Sequence, residues 1–427
     1  MNNNLILKNI QVQFFKSIGN TTIEIPDLAV FVGKNAAGKS NIVSVFRFLR
    51  DLADKGFQTA VQKQGGRENL FNMLELPSDQ IKSNDKVIIK VRFEMVNPRI
   101  FVEYDGFTGR YFRIVHSIIL GKETGEFSTT ETFVIDTVLE QKQREIPTIN
   151  DWDGEQIIIT KDVIGYPYYS TSPASRISFF PNAQIDNNRH KNNRHKNLDV
   201  KIQKKSLIEL ERYWGKDIKG FYSSIGFFDF IPKLIKSSVN SIGNATLDED
   251  GGNINIILQN ILLDEEKRRT FINLVQYVLP YINDIEIDVP RHGFAIPIIR
   301  ENYSDKYRLP AEFFSDGTAT VIAIIVALFF EENSIVVIEE PERYVHPAIM
   351  DKLATLFEDA SRNKKVVVTT HSPDLIRHLK PEHVQLVSRD KDHFTQIRRV
   401  TEDEEIKSFL AGEMQLDDLL VNNFFED

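Results

Sequence analysis

Gly33-Lys34-Asn35-Ala36-Ala37-Gly38-Lys39-Ser40 stands between the apolar run LAVFV and the stretch NIVSVFRFLRDLADKG. The octet keeps the spacing G-x-x-x-x-G-K-[ST]. Its two glycines permit backbone dihedrals that other residues avoid, and Ala36 and Ala37 keep the loop between them small. The successive N–H groups of such a loop can wrap a phosphate. A glycine-containing turn is the bland alternative, but the flanks argue against it. The run before the octet has the composition of a buried strand. The run after it puts Ile42, Val45, Phe46, Leu49 and Leu52 on one helical face, with Gly56 as a stop. A helix opening near Lys39 adds the positive end of its dipole to an anion site. In that setting Lys39 reaches the β- and γ-phosphates of a nucleotide and Ser40 ligates magnesium. The expected nucleotide-binding segment is therefore Gly33, Lys34, Asn35, Ala36, Ala37, Gly38, Lys39, Ser40 and Asn41.

Far downstream, SIVVIEEPE gives an apolar strand that ends in Glu339 and Glu340. A buried parallel strand delivers such acids to its carboxyl end, where ligands sit. The first acid can organise magnesium and the second can polarise an attacking water. Between the two segments, FFSDGT opens the long apolar stretch Val321 to Phe330, with Ser315 as N-cap and Gly317 keeping the helix start open to an anion. After them, VVVTTHSP places His371 at the end of another apolar strand. A lone histidine is usually structural, yet Ser315 precedes Glu340 by 25 residues and His371 follows it by 31.

These four motifs in this order resemble the ABC-type ATPase heads of the SMC, RecF and OLD-like group, many of them AAA family ATPases of bacterial DNA repair and anti-phage defence. The resemblance covers roughly residues 1–80 and those from about 300 onward. It implies an α/β fold, a P-loop NTPase of ABC-ATPase type. It also implies that Ser315, Asp316 and Gly317 form a signature motif contacting the γ-phosphate held by another subunit. Glu340 is then the catalytic base, His371 a switch histidine that senses the γ-phosphate, and Pro341 to Pro347 a loop crossing a dimer interface. The family's glutamine, which contacts magnesium and the attacking water, is best matched by Gln64, with Gln62 close by. ATP and magnesium are the implied cofactors. Two departures stand out. Glu339 occupies a place where ABC ATPases carry Asp, and Asp316 replaces the glycine of the transporter pattern, which argues against a transporter subunit.

Composition is consistent with this reading. The 427 residues are 41% hydrophobic and 26% charged, ordinary for a globular chain, and about two or three domains are expected. The net charge of −9 excludes a basic nucleic-acid coat, so any DNA contact needs a local patch. Absence of cysteine excludes disulfides, thiolate nucleophiles and cysteine zinc sites. No signal sequence is read at the N-terminus, and the longest apolar run, ten residues, falls short of the about 20 needed to span a bilayer. The expectation is a cytoplasmic protein with no membrane part.

Strand patterns dominate from Lys86 to Ile159, with turn residues between them, as in an antiparallel sheet. From about 300 onward, strands and helices alternate as in a parallel sheet. The predicted organisation is a discontinuous ATPase head (1–180 and 284–400) with a parallel core sheet and an antiparallel β subdomain. An inserted, mainly helical subdomain (181–283) and an acidic tail (401–427) complete it. Within the insertion, Asn187 to Lys205 carries seven Lys or Arg against one Asp and reads as a solvated loop or a grip on a phosphate backbone. The tail carries nine acids and one Lys, as a solvated edge or a partner surface. No heptad run fills the 275 residues between Ser40 and Ser315, so no coiled coil is expected. Nor is a nuclease centre expected, because the residues after His371 show no DxD-type acid pair on a strand pattern.

Two functions from different classes fit. One is an ATP-hydrolysing switch built on head dimers, acting in DNA repair or recombination or in anti-phage defence, and controlling DNA or a separate effector protein such as a nuclease. The other is an ATP-loaded sensor scaffold with negligible hydrolysis that holds and releases an effector.

Overall fold

A computed structural model describes residues 5–70, 86–96, 102–104, 107–123, 126–141, 155–164, 174–181, 217–237, 239–240, 246–288, 294–303, 308–411 and 415–418. The basic stretch Asn187 to Lys205 lies outside the described residues. The chain divides into two compact units, Met1–Glu24 with Gly65–Phe221, and Ile25–Gln64 with Tyr222–Asp427.

In the first unit the antiparallel reading holds. Leu5–Phe15 pairs with both Ile18–Glu24 and Lys86–Val96, and the ladder continues through Phe107–Glu123, Glu126–Gln141, Glu155–Ile164 and Ala174–Pro181. Val87, Ile89, Val91 and Phe93 are wholly buried, the period-2 signature of a sheet with one packed face. Along Leu5–Phe15 the buried positions jump from Leu7 to Ile10, because a bulge between Leu7 and Asn9 shifts the register by one.

The second unit is built on a parallel sheet in the order Ile225–Phe228, Ile335–Glu339, Lys365–Thr370, Leu28–Val32, Val384–Arg389. Thr395–Arg399 pairs antiparallel to the last of these. Leu28–Val32 is buried at every position, as a central parallel strand covered on both faces must be. Ile225–Phe228 is not signalled by the sequence: it is four residues long and contains a glycine, too short for its pattern to register.

The apolar stretch after Ser315 is the buried helix expected of it. Asp316–Phe329 is buried from Thr318 through Leu328, and each fully buried aliphatic there contributes roughly 1.5–3 kcal/mol. Ile254–Leu263 and Glu265–Val278 belong to the same hydrophobic core, with Phe271, Val275 and Val278 wholly buried. They therefore lie in one unit with the parallel sheet. A small antiparallel sheet of Ile282–Asp288, Phe294–Glu301 and Arg308–Pro310, joined by Val239–Asn240, packs beside them.

One local expectation is corrected. Gly56 does not stop the helix after the phosphate loop. It adopts φ 77, ψ 171, and the chain resumes helical geometry to Lys63, so the glycine marks a kink. In the described part of the acidic tail, Glu402 and Glu404 are exposed, while a few residues pack inward. Ile406 and Leu416 are buried in the core, and Asp417, 6% exposed, pairs with Arg377 at 2.5 Å.

Candidate functional site

The phosphate loop follows Leu28–Val32, and the helix Lys39–Lys63 begins at its end. Ala36 takes φ 66 and Gly38 φ 111, left-handed values, so the chain reverses tightly and the helix starts at Gly38 with no side-chain cap. Its first amides thus have no intrahelical acceptor and are suited to an anion. Lys39 is buried, and its ammonium donates to the carbonyls of Gly33 at 2.7 Å and Lys34 at 3.1 Å, folding across the loop. Burial pushes this ammonium below the ordinary lysine range, while the carboxylates of Glu340 and Glu342 pull it back up. Ammonium, helix terminus and small loop residues together fit a polyphosphate.

The acids and the histidine arrive from neighbouring strands. Ile335–Glu339 and Lys365–Thr370 run parallel with Glu339 opposite Thr369, so Glu340 and His371 leave the sheet side by side. Glu340 has φ 46, and its N–H donates to the Thr369 carbonyl at 2.8 Å. A non-glycine residue held in this conformation is a mark of functional sites. His371 Nδ1 lies 3.3 Å from Glu340 and 3.6 Å from Glu342. Glu342 also accepts from the Thr370 hydroxyl at 2.7 Å and the His371 N–H at 3.2 Å, clasping the histidine turn. Arg343 bridges Glu340 at 2.7 Å and Asp229 at 3.0 Å.

Glu339 has a different partner. Arg47, two helical turns beyond Ser40, contacts it at 3.1 Å and Glu249 at 2.6 Å. The Arg47 and Arg50 guanidiniums lie 4.5 and 4.4 Å from the Phe227 ring centroid. Burial raises the Glu339 carboxyl above the usual range, and Arg47 opposes that rise. Arg47→Ala leaves this carboxylate buried without its hydrogen-bonded cation, with only the weaker pull of Arg343 remaining. A carboxyl whose folded pKa is raised favours folding in its protonated form, so stability declines as pH rises through that pKa. The variant's thermal midpoint, followed from about pH 5 to about pH 8, is expected to drop more steeply than that of the parent.

Among the described residues no group of three or more His, Asp or Glu could hold a metal ion. Ser40 is a hard oxygen donor, and magnesium characteristically completes such a shell with phosphate oxygens and water, so the hydroxyl fits magnesium on those terms.

Ser315 caps Asp316–Phe329, its Oγ accepting from the Thr318 N–H at 3.0 Å and lying 2.7 Å from the Thr318 hydroxyl. Asp316 pairs with Lys236 at 2.5 Å. A Cβ on Gly317 would meet the Tyr344 carbonyl at 2.7 Å, so only glycine lets the helix start lie against the 341–347 loop. Within one chain, no hydrogen bond or ion pair among the described residues joins Ser315, Asp316 or Gly317 to Lys39, Ser40 or Glu340. Gln64 is the C-cap of its helix, buried, and no hydrogen bond among the described residues ties its amide to the phosphate loop. Sequence reasoning passed over Arg47, Glu249, Asp229, Glu342 and Arg343. Arg47 was within reach, because it stands seven residues after Ser40 on the same helix face.

A family described as "AAA domain, putative AbiEii toxin, Type IV TA system" matches residues 28–377, a span that holds every candidate residue above from Gly33 to His371. The chain belongs to this AAA-domain family. Its fold is that of an α/β P-loop ATPase, and families of this type bind nucleotide. Similar solved structures include the SMC head domain from Thermotoga maritima, 14% identical, with a TM-score of 0.44, covering 92% of this chain and 98% of that one. An SMC head bound to the C-terminal winged-helix domain of ScpA is 15% identical, with a TM-score of 0.47, covering 92% and 96%. The SMC head with extended coiled coil, bound to the C-terminal domain of ScpA derived from Pyrococcus furiosus, is 12% identical, with a TM-score of 0.47, covering 95% and 100%. No curated protein matches the chain. In this AAA-domain protein, no helix among the described residues is long and apolar enough to cross a membrane.

Proposed function

We propose that this protein is an ATP-hydrolysing molecular switch assembled from paired heads. The observation that carries the reading is Glu340, held at φ 46 beyond a buried parallel strand, 3.3 Å from His371 and within electrostatic range of Lys39. Bound magnesium would offset charge on the β- and γ-phosphates. Lys39 and the loop amides hold those phosphates, Ser40 and Glu339 would hold the cation, and Glu340 accepts the proton of the attacking water. His371, clasped by Glu342, reads the γ-phosphate. Ser315, Asp316 and Gly317 are exposed or half-buried at a helix N-terminus and close over the γ-phosphate of a second copy. Gln64 has no assigned step. Differential binding of nucleotide to the closed pair drives the switch. The family description, with its putative toxin and type IV toxin–antitoxin system, favours defence over repair as the setting and an effector protein as the partner.

Steady-state phosphate release at rising protein concentration tests this reading. Specific activity is expected to climb with concentration, because each site takes its cap from a second chain. Ser315→Arg is expected to lower turnover by at least about tenfold, with unchanged binding of nucleotide to the protomer. A flat baseline at every concentration would instead support the scaffold, and normal turnover by Ser315→Arg would remove the cap in trans.

A further inference from the structure

The glycines of the phosphate loop have close neighbours that the motif alone does not reveal. A Cβ on Gly33 would lie 2.4 Å from the Val387 carbonyl oxygen, and one on Gly38 would lie 2.1 Å from Thr395 Oγ1. Both neighbours belong to the strand pair Val384–Arg389 and Thr395–Arg399, beyond the span the family match covers. Arg389 Nε donates to the Ala36 carbonyl at 3.0 Å, and the wholly buried Thr395 donates its hydroxyl to the Ala37 carbonyl at 3.3 Å.

Each bond falls where the loop is conformationally unusual. Ala36 sits at φ 66, which an L-residue keeps only when its surroundings hold it there. Because a trans peptide is planar, fixing the Ala37 carbonyl toward Thr395 turns the Gly38 N–H to the opposite side, away from the strand pair. The turn that carries these side chains is itself knit together. Arg389 Nη1 donates to the His393 carbonyl at 2.7 Å, and Asp390 accepts from the Phe394 N–H at 2.8 Å and Gln396 Nε2 at 2.7 Å.

The geometry points to Arg389 and Thr395 as positioning residues that hold the phosphate loop in its anion-receiving conformation. The inference rests on the reading of Gly33 to Ser40 as the nucleotide site and adds to it a brace from the end of the domain. The bonds made by Arg389 end on backbone carbonyls of the loop and of its own turn, so its guanidinium acts through loop shape.

Titration of the full chain with a fluorescent ATP analogue tests it, alongside thermal midpoints without nucleotide. Arg389→Ala is expected to bind about tenfold more weakly, and Thr395→Val, which removes only the hydroxyl, about threefold to tenfold more weakly. Both are expected to keep the parent midpoint to within about 3 °C. Parent affinity in Arg389→Ala would overturn the brace. So would parent affinity in Thr395→Val with loss only in Arg389→Ala, since the arginine would then act by charge. A midpoint fall that accompanies the lost affinity would overturn it as well, the role then being general stability. Lys39→Ala separates this inference from the reading beneath it: if that variant also binds like the parent, the nucleotide site lies elsewhere, and if it alone fails to bind, only the brace is wrong.

Discussion

Glu340→Gln is expected to lower ATP turnover by about 100- to 10,000-fold while ATP binding survives. The substitution keeps the shape of the side chain and removes its capacity to accept a proton. It leaves the strand end intact, because the Glu340 N–H still donates to Thr369 and the αL backbone does not depend on the carboxylate. It also removes a negative charge close to Lys39, and with it a repulsion toward bound phosphates. Nucleotide affinity is therefore expected to hold or rise. With hydrolysis blocked and the phosphate retained, the paired state should persist, and size-exclusion chromatography with ATP should show a species of doubled mass. Arg343 loses one partner but keeps Asp229, so the fold should survive. Hydrolysis within about threefold of the parent would mean another group accepts the proton. Glu342 is then the first to examine, because it too approaches His371 and one of its carboxylate oxygens is buried with no hydrogen-bond partner among the described residues.

The two carboxylates at this strand end show how far a linear reading reaches. SIVVIEEPE marks a buried strand ending in acids, and that much follows from composition and period. What separates the acids is their surroundings. Glu339 turns to Arg47, 292 positions away, whereas Glu340 turns to Arg343 and His371. A pairing over such a distance leaves no periodic trace, since it depends on how the helix after the loop packs on the sheet. The parallel core was legible because strands buried on both faces are unbroken apolar runs. The helix start at Ser315 was legible because capping is local chemistry. Ile225–Phe228 was not, since its edge place and four-residue length offer too little pattern. The packed part of the acidic tail was hidden for a similar reason. Its nine acids interleave with its apolar residues and blur the period, yet among its described residues Ile406 and Leu416 reach the core.

Gly38→Ala is expected to abolish nucleotide binding and destabilise the protein by about 2–5 kcal/mol, combining strained backbone with overpacking. Two separate obstacles meet at this residue. The backbone stands at φ 111, which a side chain disfavours whatever the space around it. The new methyl would also stand 2.1 Å from Thr395 Oγ1 and 2.9 Å from its methyl carbon, and Thr395 is wholly buried on a strand with nowhere to retreat. The double variant Gly38→Ala with Thr395→Ala tells the obstacles apart. Removing the threonine branch takes away the two shortest approaches and leaves its Cβ at 3.1 Å and the dihedral penalty, so thermal stability should recover in part, by about 1–3 kcal/mol. Nucleotide binding should stay lost, because the amide that follows Ala37 is still displaced and its bracing hydroxyl is gone. Full recovery of stability and binding would mean the loop tolerates a side chain at this dihedral and that crowding alone demands glycine. No recovery at all would mean the dihedral governs, and that the strand pair limits the loop far less than the 2.1 Å approach implies.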